Sequence, residues 1–233
     1  MKSTILFISF FWSFLFFGSE NIDKTNLKTV SYKGHSMTVI TIDPKSIEFG
    51  VKRRNQVNDD FFMNANFFNK SGKEIGEVII NGKTINERTK SGGFFYVKNG
   101  KPGISINSRP KNVQFSVQTN YVGINNGVIN KRIVDTKVNS QGACRTILGK
   151  NKKGQIILIH SDRTSSVSMR EISEFAITQG MINGILFDGG SSVDIGIKTN
   201  KLNYSFKSVP SFAKPFMGID EPPIYIVGNE KNN

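Results

Sequence analysis

A carboxylate followed by two glycines and two hydroxyls is the feature of this chain with the clearest chemical potential. The residues are Asp188, Gly189, Gly190, Ser191 and Ser192, and they come directly after an apolar, strand-like segment. Paired glycines leave backbone N–H groups bare, so an anion can approach them closely, and the serines add donors beside the carboxylate. A tight turn in which the glycines take positive φ would use the same residues. The pattern therefore predicts an active-site loop, with a structural turn as the alternative.

Polar residues interrupt three other segments that are otherwise typical of strands. Asn64 and Asn66 lie in an apolar run, the stretch 118–121 (Gln-Thr-Asn-Tyr) breaks a second run, and Arg145 begins a third. Buried amides cost free energy unless they find partners, and an arginine at such a position is more often a surface residue. If these positions meet the Asp188 loop, they form a pocket with a guanidinium, amides, hydroxyls and a carboxylate. Such a pocket suits a phosphate-bearing substrate.

The elements that must position this loop are a strand, a helix and a second strand. Residues 155–161 are apolar and β-rich, residues 168–171 have the sequence of a helix capping box, and residues 184–187 begin another apolar strand. A crossover of this kind makes the two strands parallel, with a right-handed connection. We therefore expect Asp162 and Asp188, which follow the two strands, to lie at the same rim of the sheet, where α/β sites usually form.

The remaining segments predict short strands joined by turns. Asn-Gly pairs at 81–82 and 99–100 are strong hairpin signals, and we expect residues 113–119 to pair with residues 121–129. The first paired strand is expected to begin near Val30. These elements predict an α+β fold, a single domain over residues 30–228 with a mixed, mostly antiparallel sheet, one βαβ unit and one or two helices.

The N-terminal segment 1–19 is the most apolar part of the chain. Its run from Ile5 to Phe17 ends in a sharp polar switch, and it is shorter than the about 20 residues of a comfortable membrane span. We predict a signal peptide or an uncleaved N-terminal anchor. The protein is then expected to be secreted, periplasmic or held in the cell envelope, with membrane association if the segment is retained.

The chain is strongly basic, with a formal net charge of +13 and a sequence pI near 9.8. The lysines are scattered through turns instead of forming a stripe with interleaved aromatic residues, which argues against nucleic acid as a partner. The charge is typical of a solvated basic surface or of one that attracts anionic envelope polymers.

Cysteine and histidine are too scarce for several common kinds of site. Cys144 is the only cysteine, so an intrachain disulfide and a cysteine-based zinc site are excluded. With only His35 and His160, a multi-histidine metal site is excluded as well. We expect no cofactor, a buried structural Cys144 and a half-buried His160 with its polar groups satisfied, while any metal requirement stays open.

Four motifs together resemble those of the phosphodiester glycosidase family. Residues 64–68 (Asn-Ala-Asn-Phe-Phe) are similar to the family's Asn-Gly-Gly-Phe-Phe, and residues 75–76 with the turn at 81–82 resemble its Pro-x-Gly and Asp-Gly hairpin. Residues 144–149 resemble Pro-Arg-Thr-Ala-Ile-Gly, and residues 186–192 resemble Leu-Asp-Gly-Gly-Gly-Ser-Ser. The order and spacing agree, and the resemblance runs from about residue 30 to 227.

The chain also departs from the family pattern. Asn66 replaces a glycine, Ile75 and Cys144 replace prolines, and the glycine loop at 189–190 is one glycine shorter. Asn-Tyr at 120–121 stands where many members have Gly-Pro. Since asparagine tolerates the left-handed backbone, the first change is compatible with the same turn.

The resemblance implies an exported hydrolase that cleaves the glycosidic bond of a sugar-1-phosphodiester, such as a phosphate-bearing glycan. Glycoside cleavage usually employs two carboxylates, and Asp188 is the first candidate. Asp162 is our candidate for the second, with Glu74 and Glu77 as alternatives. A non-catalytic protein that binds or assembles phosphate-bearing envelope glycans is the rival interpretation.

The resemblance also assigns the substrate-binding residues. Arg145 is expected to hold the phosphate, assisted by the Ser191 and Ser192 hydroxyls and the amides of Gly189 and Gly190. Asn64 is expected either to bind sugar hydroxyls or to buttress the loop.

Overall fold

The structure is a computed structural model that describes residues 25–65, 67–69, 71–134, 142–199, 202–210, 213–214 and 221–231. The predicted leader, residues 1–19, and the motif residue Asn66 lie outside the described residues.

The described residues form three antiparallel sheets with few helices. The large sheet has the strand order β1 (Thr25–Tyr32), β2 (His35–Ile42), β13 (Ile156–Ser161), β12 (Thr146–Asn151), β14 (Met181–Phe187), β10 (Tyr121–Asn125) and β11 (Val128–Ile129). The second sheet has the order β16 (Asn203–Lys207), β15 (Asp194–Lys198), β4 (Phe61–Asn64), β17 (Ile224–Glu230) and β3 (Ile47–Arg53). The third has the order β6 (Lys83–Asn86), β5 (Val78–Ile80), β9 (Phe115–Thr119), β7 (Gly93–Lys98) and β8 (Lys101–Ile106).

Two α-helices and two 3₁₀ turns complete the elements of the described ranges: α1 (Lys131–Val134), α2 (Met169–Thr178), Arg54–Gln56 and Gly190–Ser192. The fold is therefore mostly β, with less helix than the predicted α+β class suggests. None of the helices in the described part of the chain is long and apolar enough to cross a membrane.

The strand, helix and strand around the Asp188 loop form as predicted. Strands β13 and β14 both run antiparallel to β12, which lies between them, so they are parallel to each other. Thr146 of β12 is in register with His160 on one side and with Phe187 on the other. The carboxyl ends of β13 and β14 therefore lie at one rim of the large sheet.

Helix α2 begins at the predicted capping box. The Ser168 hydroxyl accepts a hydrogen bond from Glu171 N–H at 3.1 Å, and the Glu171 carboxylate accepts one from Ser168 N–H at 2.8 Å. These bonds satisfy amides that have no partner inside the helix. Gly180, at φ +84°, follows the last turn in the left-handed region that ends many helices.

Both Asn-Gly hairpins are confirmed. Asn81 and Gly82 have φ values of 51° and 75° between β5 and β6, and Asn99 and Gly100 have 51° and 69° between β7 and β8. Positive φ at both central residues is the geometry of a type I′ turn, whose twist matches that of the flanking strands. At the start of the domain, β1 begins at Thr25, ahead of the start near Val30 that the sequence indicates.

The predicted pairing of residues 113–119 with residues 121–129 is wrong. Strand β9 pairs with β5 and β7 in the third sheet, whereas β10 pairs with β14 and β11 in the large sheet. Only Asn120 separates the two strands, and even the tightest common hairpin needs a two-residue loop. The chain therefore continues from one sheet into the other at this point.

The large sheet buries both of its faces. Ile185 and Phe187 of β14 belong to the central core, which the second and third sheets cover with Phe49, Phe61 and Phe95 among others. Leu186, pointing the other way, packs with helix α2. Side chains alternate between the two faces of the sheet along β14. This alternation determines which face carries each residue that follows Phe187 at the rim.

Candidate active site at the rim of the large sheet

Asp188 and Arg145 face each other across neighbouring strands. Asp188 directly follows Phe187, and Arg145 directly precedes Thr146, the register partner of Phe187. Continuing the register by one residue places the two side chains on the face of the sheet that carries α2. Their charges interact, since Arg145 opposes the rise in the pKa of Asp188 and Asp188 opposes the fall in the pKa of Arg145.

The environment of Asp188 shifts its ionisation toward neutrality. Burial raises its pKa to about 6, while the Ser192 hydroxyl, the Gly189 N–H and the charge of Arg145 act in the opposite direction. Burial wins because removing a carboxylate from water penalises its charged form. A carboxyl group with this pKa can be ionised or protonated within one unit of pH 6, as an acid, base or charge stabiliser requires.

Backbone contacts hold Arg145 at the start of β12. Its Nε donates to Val167 O at 3.3 Å, and its backbone N–H donates to the Ser161 hydroxyl at 2.9 Å. Burial lowers its pKa, but a guanidinium remains charged in proteins. Arg145 therefore presents a half-buried cation in a fixed orientation.

The glycines of the Asp188 loop are required by a close backbone approach. A Cβ on Gly189 would lie 2.5 Å from Cys144 O, and Gly190 N–H donates to the same oxygen at 2.7 Å. Gly190 has φ +61° and begins the 3₁₀ turn that carries a half-buried Ser191 and a buried Ser192. The loop is a tight turn that also carries polar groups, and its role as an active-site loop stays a prediction.

Asn64 ties the two ends of this loop together. Its Nδ2 donates to Asp188 O at 3.0 Å, and its Oδ1 accepts from Asp194 N–H at 3.0 Å. The side chain is fully buried at the end of β4. This is the geometry of a buttress, and direct binding of substrate by Asn64 stays a prediction.

Asp162 lies at the predicted rim but belongs to a different group of side chains. Its N–H donates to Ser36 O at 2.9 Å, and its Oδ1 accepts from Arg163 N–H at 2.6 Å. Its negative charge opposes the fall in the pKa of His160 that burial causes, and it adds to the rise that burial causes in the pKa of Tyr204. Among the described contacts, none joins it to Asp188.

The other two candidate carboxylates are held in ion pairs. Glu77 is buried and accepts two hydrogen bonds from Arg109, at 2.5 Å from Nε and 2.9 Å from Nη2. Glu74 lies 3.5 Å from Nη1 of Arg53. Both carboxylates therefore already have cationic partners within the described structure.

Cys144 is buried, as expected, and His160 has partners for both ring nitrogens but is fully buried instead of half-buried. His160 is fully buried, with Nε2 2.6 Å from the Tyr204 hydroxyl and Nδ1 3.1 Å from Ser161 O, and burial lowers its pKa to about 4. Burial also raises the pKa of the Cys144 thiol to about 11, which removes the reactive thiolate at neutral pH. Across the described ranges, no three His, Cys, Asp or Glu side chains come together as metal ligands.

Two residues near the site were missed as individual candidates from the sequence. Tyr121 lies within electrostatic range of Arg145, and its ring packs edge-on against Phe67 with centroids 5.4 Å apart. Asp194 is buried at the far end of the loop, where its Oδ2 accepts from the Tyr225 hydroxyl at 3.0 Å. In the sequence, Tyr121 belongs to the polar stretch 118–121 that interrupts a strand-like segment, and this interruption could have identified it. Asp194 is a carboxylate six residues after Asp188, and this spacing could have identified it.

A family model described as phosphodiester glycosidase matches residues 58–214, which include both Asp188 and Arg145. The chain belongs to the phosphodiester glycosidase family. Over 72 residues it is 35% identical to the human N-acetylglucosamine-1-phosphodiester alpha-N-acetylglucosaminidase, a match that covers 30% of this chain and 13% of the human protein.

Solved structures show the same fold at low sequence identity. The zebrafish N-acetylglucosamine-1-phosphodiester alpha-N-acetylglucosaminidase catalytic domain, auto-inhibited by its pro-peptide, is similar with a TM-score of 0.64 at 14% identity, covering 89% of this chain and 82% of that one. A Burkholderia pseudomallei protein described as exported has a TM-score of 0.50 at 10% identity, covering 84% of this chain and 74% of that one.

Proposed function

We propose that this phosphodiester glycosidase family member is an exported hydrolase of sugar-1-phosphodiesters. Water adds to the anomeric carbon of the sugar as the bond from that carbon to the phosphate oxygen breaks. The products are the free sugar and a phosphomonoester. The observation that carries the proposal is the pairing of a fixed Arg145 with an Asp188 whose pKa is about 6 in a glycine loop.

Arg145 is the group that we assign to the phosphate. A guanidinium can donate two parallel hydrogen bonds to phosphate oxygens, and the half-buried position strengthens each bond. The Ser191 hydroxyl lies on the same turn and adds a donor, whereas the Ser192 hydroxyl and the Gly189 N–H donate to Asp188 and the Gly190 N–H donates to Cys144 O. Together they stabilise the negative charge that develops on the departing phosphate.

Asp188 is the group that we assign to the sugar. The transition state of glycoside cleavage resembles an oxocarbenium ion, and an ionised carboxylate beside the anomeric carbon stabilises its positive charge. A phosphate leaving group is already a weak base, so the reaction has less need of a strong general acid. This lowers the demand on a second carboxylate, for which Asp162 remains the candidate.

A turnover assay tests this proposal. The purified protein is incubated with a panel of sugar-1-phosphodiesters, and released sugar and phosphomonoester are measured together. We expect release by the wild type and its loss by several orders of magnitude in Asp188→Asn. Asp43→Asn is the matched control, since Asp43 sits in another turn where its Oδ1 accepts from Lys45 N–H at 2.9 Å. Equal turnover in wild type and Asp188→Asn would refute the assignment.

A non-catalytic glycan-binding or assembly protein is the second candidate, and one observation favours it. Glu77 is neutralised by Arg109, and Glu74 by Arg53, so both alternative carboxylates are already committed to ion pairs. This protein would bind sugar phosphodiesters through Arg145 without releasing products. Calorimetric binding of the same panel, with no turnover and with weaker binding by Arg145→Lys, would select this candidate.

Export is part of the proposal and rests on the apolar segment 1–19. Fractionation of the expressing cells, followed by N-terminal sequencing of the recovered protein, tests whether the segment is removed. Recovery of the protein from the cytoplasm with residues 1–19 intact would refute export.

A further inference from the structure

The large sheet has a second rim, opposite the candidate site. The registers of β1 with β2 and of β2 with β13 place Thr25, Ile42 and Ile156 side by side at this end. Asp162 and Asp188 lie at the other end of the sheet, about 20 Å away along strands of six or seven residues. We call the end at which β1 begins the N-terminal rim.

The N-terminal rim carries an open groove with a volume of about 470 Å³. Its apolar lining comes from Ile177 at the end of α2 and from Met181 and Ile182 at the start of β14. Lys152 and Lys153, in the turn between β12 and β13, also line it. Both lysines are exposed, and neither forms a salt bridge with another described residue. The groove therefore combines an apolar lining with two solvated cations.

Neighbouring turns add basic and apolar side chains to this rim. Lys45 is exposed in the turn after β2, and Asp43 in the same turn accepts from Lys45 N–H at 2.9 Å. Three lysines against one carboxylate leave these turns with an excess of two positive charges. Val128, which follows the groove residue Gly127, is 67% exposed. Lysines around exposed apolar groups are typical of surfaces that meet the headgroups of an anionic membrane.

The apolar segment 1–19 is joined to the domain at the same rim. Because β1 begins at Thr25, residues 20–24 are the whole connection, which reaches at most about 20 Å. The turn with Lys152 and Lys153 joins β13 and β12, which lie two and three strands from β1, or about 10 and 14 Å along the rim. A membrane that holds segment 1–19 therefore lies close to the groove and its lysines.

We propose that the N-terminal rim is a docking surface for an anionic lipid membrane. Its lysines attract the lipid headgroups, and Val128 and the groove supply shallow apolar contact. This docking goes beyond the proposed function and does not depend on it, because no group of the candidate site takes part. One consequence does rest on the proposed function: Arg145 and Asp188 lie about 20 Å from the bilayer surface, which favours substrates that extend away from that surface.

Fluorescence quenching with the full chain in vesicles tests this docking without requiring turnover. Cys144 is buried and the pKa of its thiol is raised, so a single introduced thiol can be labelled selectively with a fluorescent dye. Thr178→Cys places the dye at the end of α2 on the N-terminal rim, and Ser166→Cys places it just before α2 on the opposite rim; both positions are exposed. The vesicles contain a lipid with a nitroxide on its headgroup, in phosphatidylcholine with or without phosphatidylglycerol. With phosphatidylglycerol, the dye at position 178 should be quenched more strongly than the dye at position 166.

Two double variants separate the rim from general charge. Lys152→Gln with Lys153→Gln should lower the ratio of docked to undocked protein roughly 25-fold, because each lysine near an anionic surface contributes about five-fold. Lys33→Gln with Arg170→Gln removes the same charge at the opposite rim, where both residues pair with Glu174 at 2.8 Å, and should keep the quenching at position 178. Equal loss in both double variants, or no loss in the first, overturns the inference.

Three further outcomes decide the identity of the occupant. Equal quenching at positions 178 and 166, or equal quenching with and without phosphatidylglycerol, overturns the inference. Calorimetry with soluble polyphosphate, on protein held in phosphatidylcholine vesicles, tests an anionic polymer as the occupant. Polyphosphate binding that depends on Lys152 and Lys153, without lysine-dependent quenching in anionic vesicles, overturns the membrane assignment. Turnover of a soluble sugar-1-phosphodiester by the same samples judges the proposed function separately.

Discussion

Replacement of Asp188 by asparagine should make the folded protein more stable above pH 6, although it removes the central candidate for catalysis. The partly buried carboxyl has a pKa of about 6, against an ordinary value of 3.8. One pKa unit corresponds to about 1.4 kcal/mol, so holding the ionised group in the folded state costs about 3 kcal/mol. Asparagine keeps the volume and the turn preference and carries no charge.

The sign of the pH dependence follows from the raised pKa. The stabilisation of the folded state by protonated Asp188 is complete below about pH 4, and it is lost as the pH rises through about 6. The free energy of unfolding of the variant, minus that of the wild type, should therefore rise by up to about 3 kcal/mol between pH 4 and pH 8. Other titrating groups are common to both proteins and cancel in this difference, except for those in contact with Asp188.

Urea unfolding of both proteins at five pH values from 4 to 8 measures this difference. Asp43→Asn, measured in parallel, controls for the replacement of a turn aspartate. In the wild type, turnover of a sugar-1-phosphodiester should rise with pH through about 6, since the proposed role requires the ionised carboxylate. A stability difference that does not change with pH would refute the assignment of Asp188 as a buried, destabilised charge.

Three further substitutions test the supports of the site. Ser168→Ala should lower the free energy of unfolding by about 1 kcal/mol through loss of the cap of α2, with turnover per folded molecule unchanged, whereas the exposed Ser166→Ala should be neutral in urea unfolding. Arg145→Lys should weaken binding of phosphodiester ligands ~10-fold or more in calorimetry, because an ammonium cannot make two parallel bonds, and Arg170→Lys should not. Asn64→Asp should destabilise by on the order of 2 kcal/mol and reduce turnover, since it replaces the donor to the Asp188 loop with an acceptor, and wild-type stability would contradict the buttress role.

Local features of the structure follow from the sequence because their causes lie within a few residues. The Asn-Gly hairpins at 81–82 and 99–100 form because those residues accept positive φ, and helix α2 begins where Ser168 and Glu171 satisfy each other's amides. The parallel direction of β13 and β14 also follows, because one helix must carry the chain back across the sheet. This is why the sequence is enough to place Asp162 and Asp188 at one rim.

Pairing between strands that are distant in sequence depends on tertiary structure. Residues 113–119 and 121–129 have the pattern of two neighbouring strands, yet β9 and β10 enter different sheets. Sequence alternation specifies which residues are buried in a strand, but not which partner strand covers them. Asn120 connects strands of two different sheets, and the sequence alone does not show this role because it depends on how the two sheets assemble.

The residue types of the candidate site are set by the sequence, whereas their roles are decided by the fold. The motif around Asp188 and the family resemblance are sufficient to select Asp188, Arg145 and Asn64 as candidates. The tertiary structure removes Asp188 from water, which raises its pKa to about 6 although the charge of Arg145 opposes the rise, and turns both polar groups of Asn64 to the loop backbone. It also places Asp162 within electrostatic range of His160. Burial and proximity are properties of the assembled sheets, and ionisation depends on both, so the chemistry of these side chains is decided only in three dimensions.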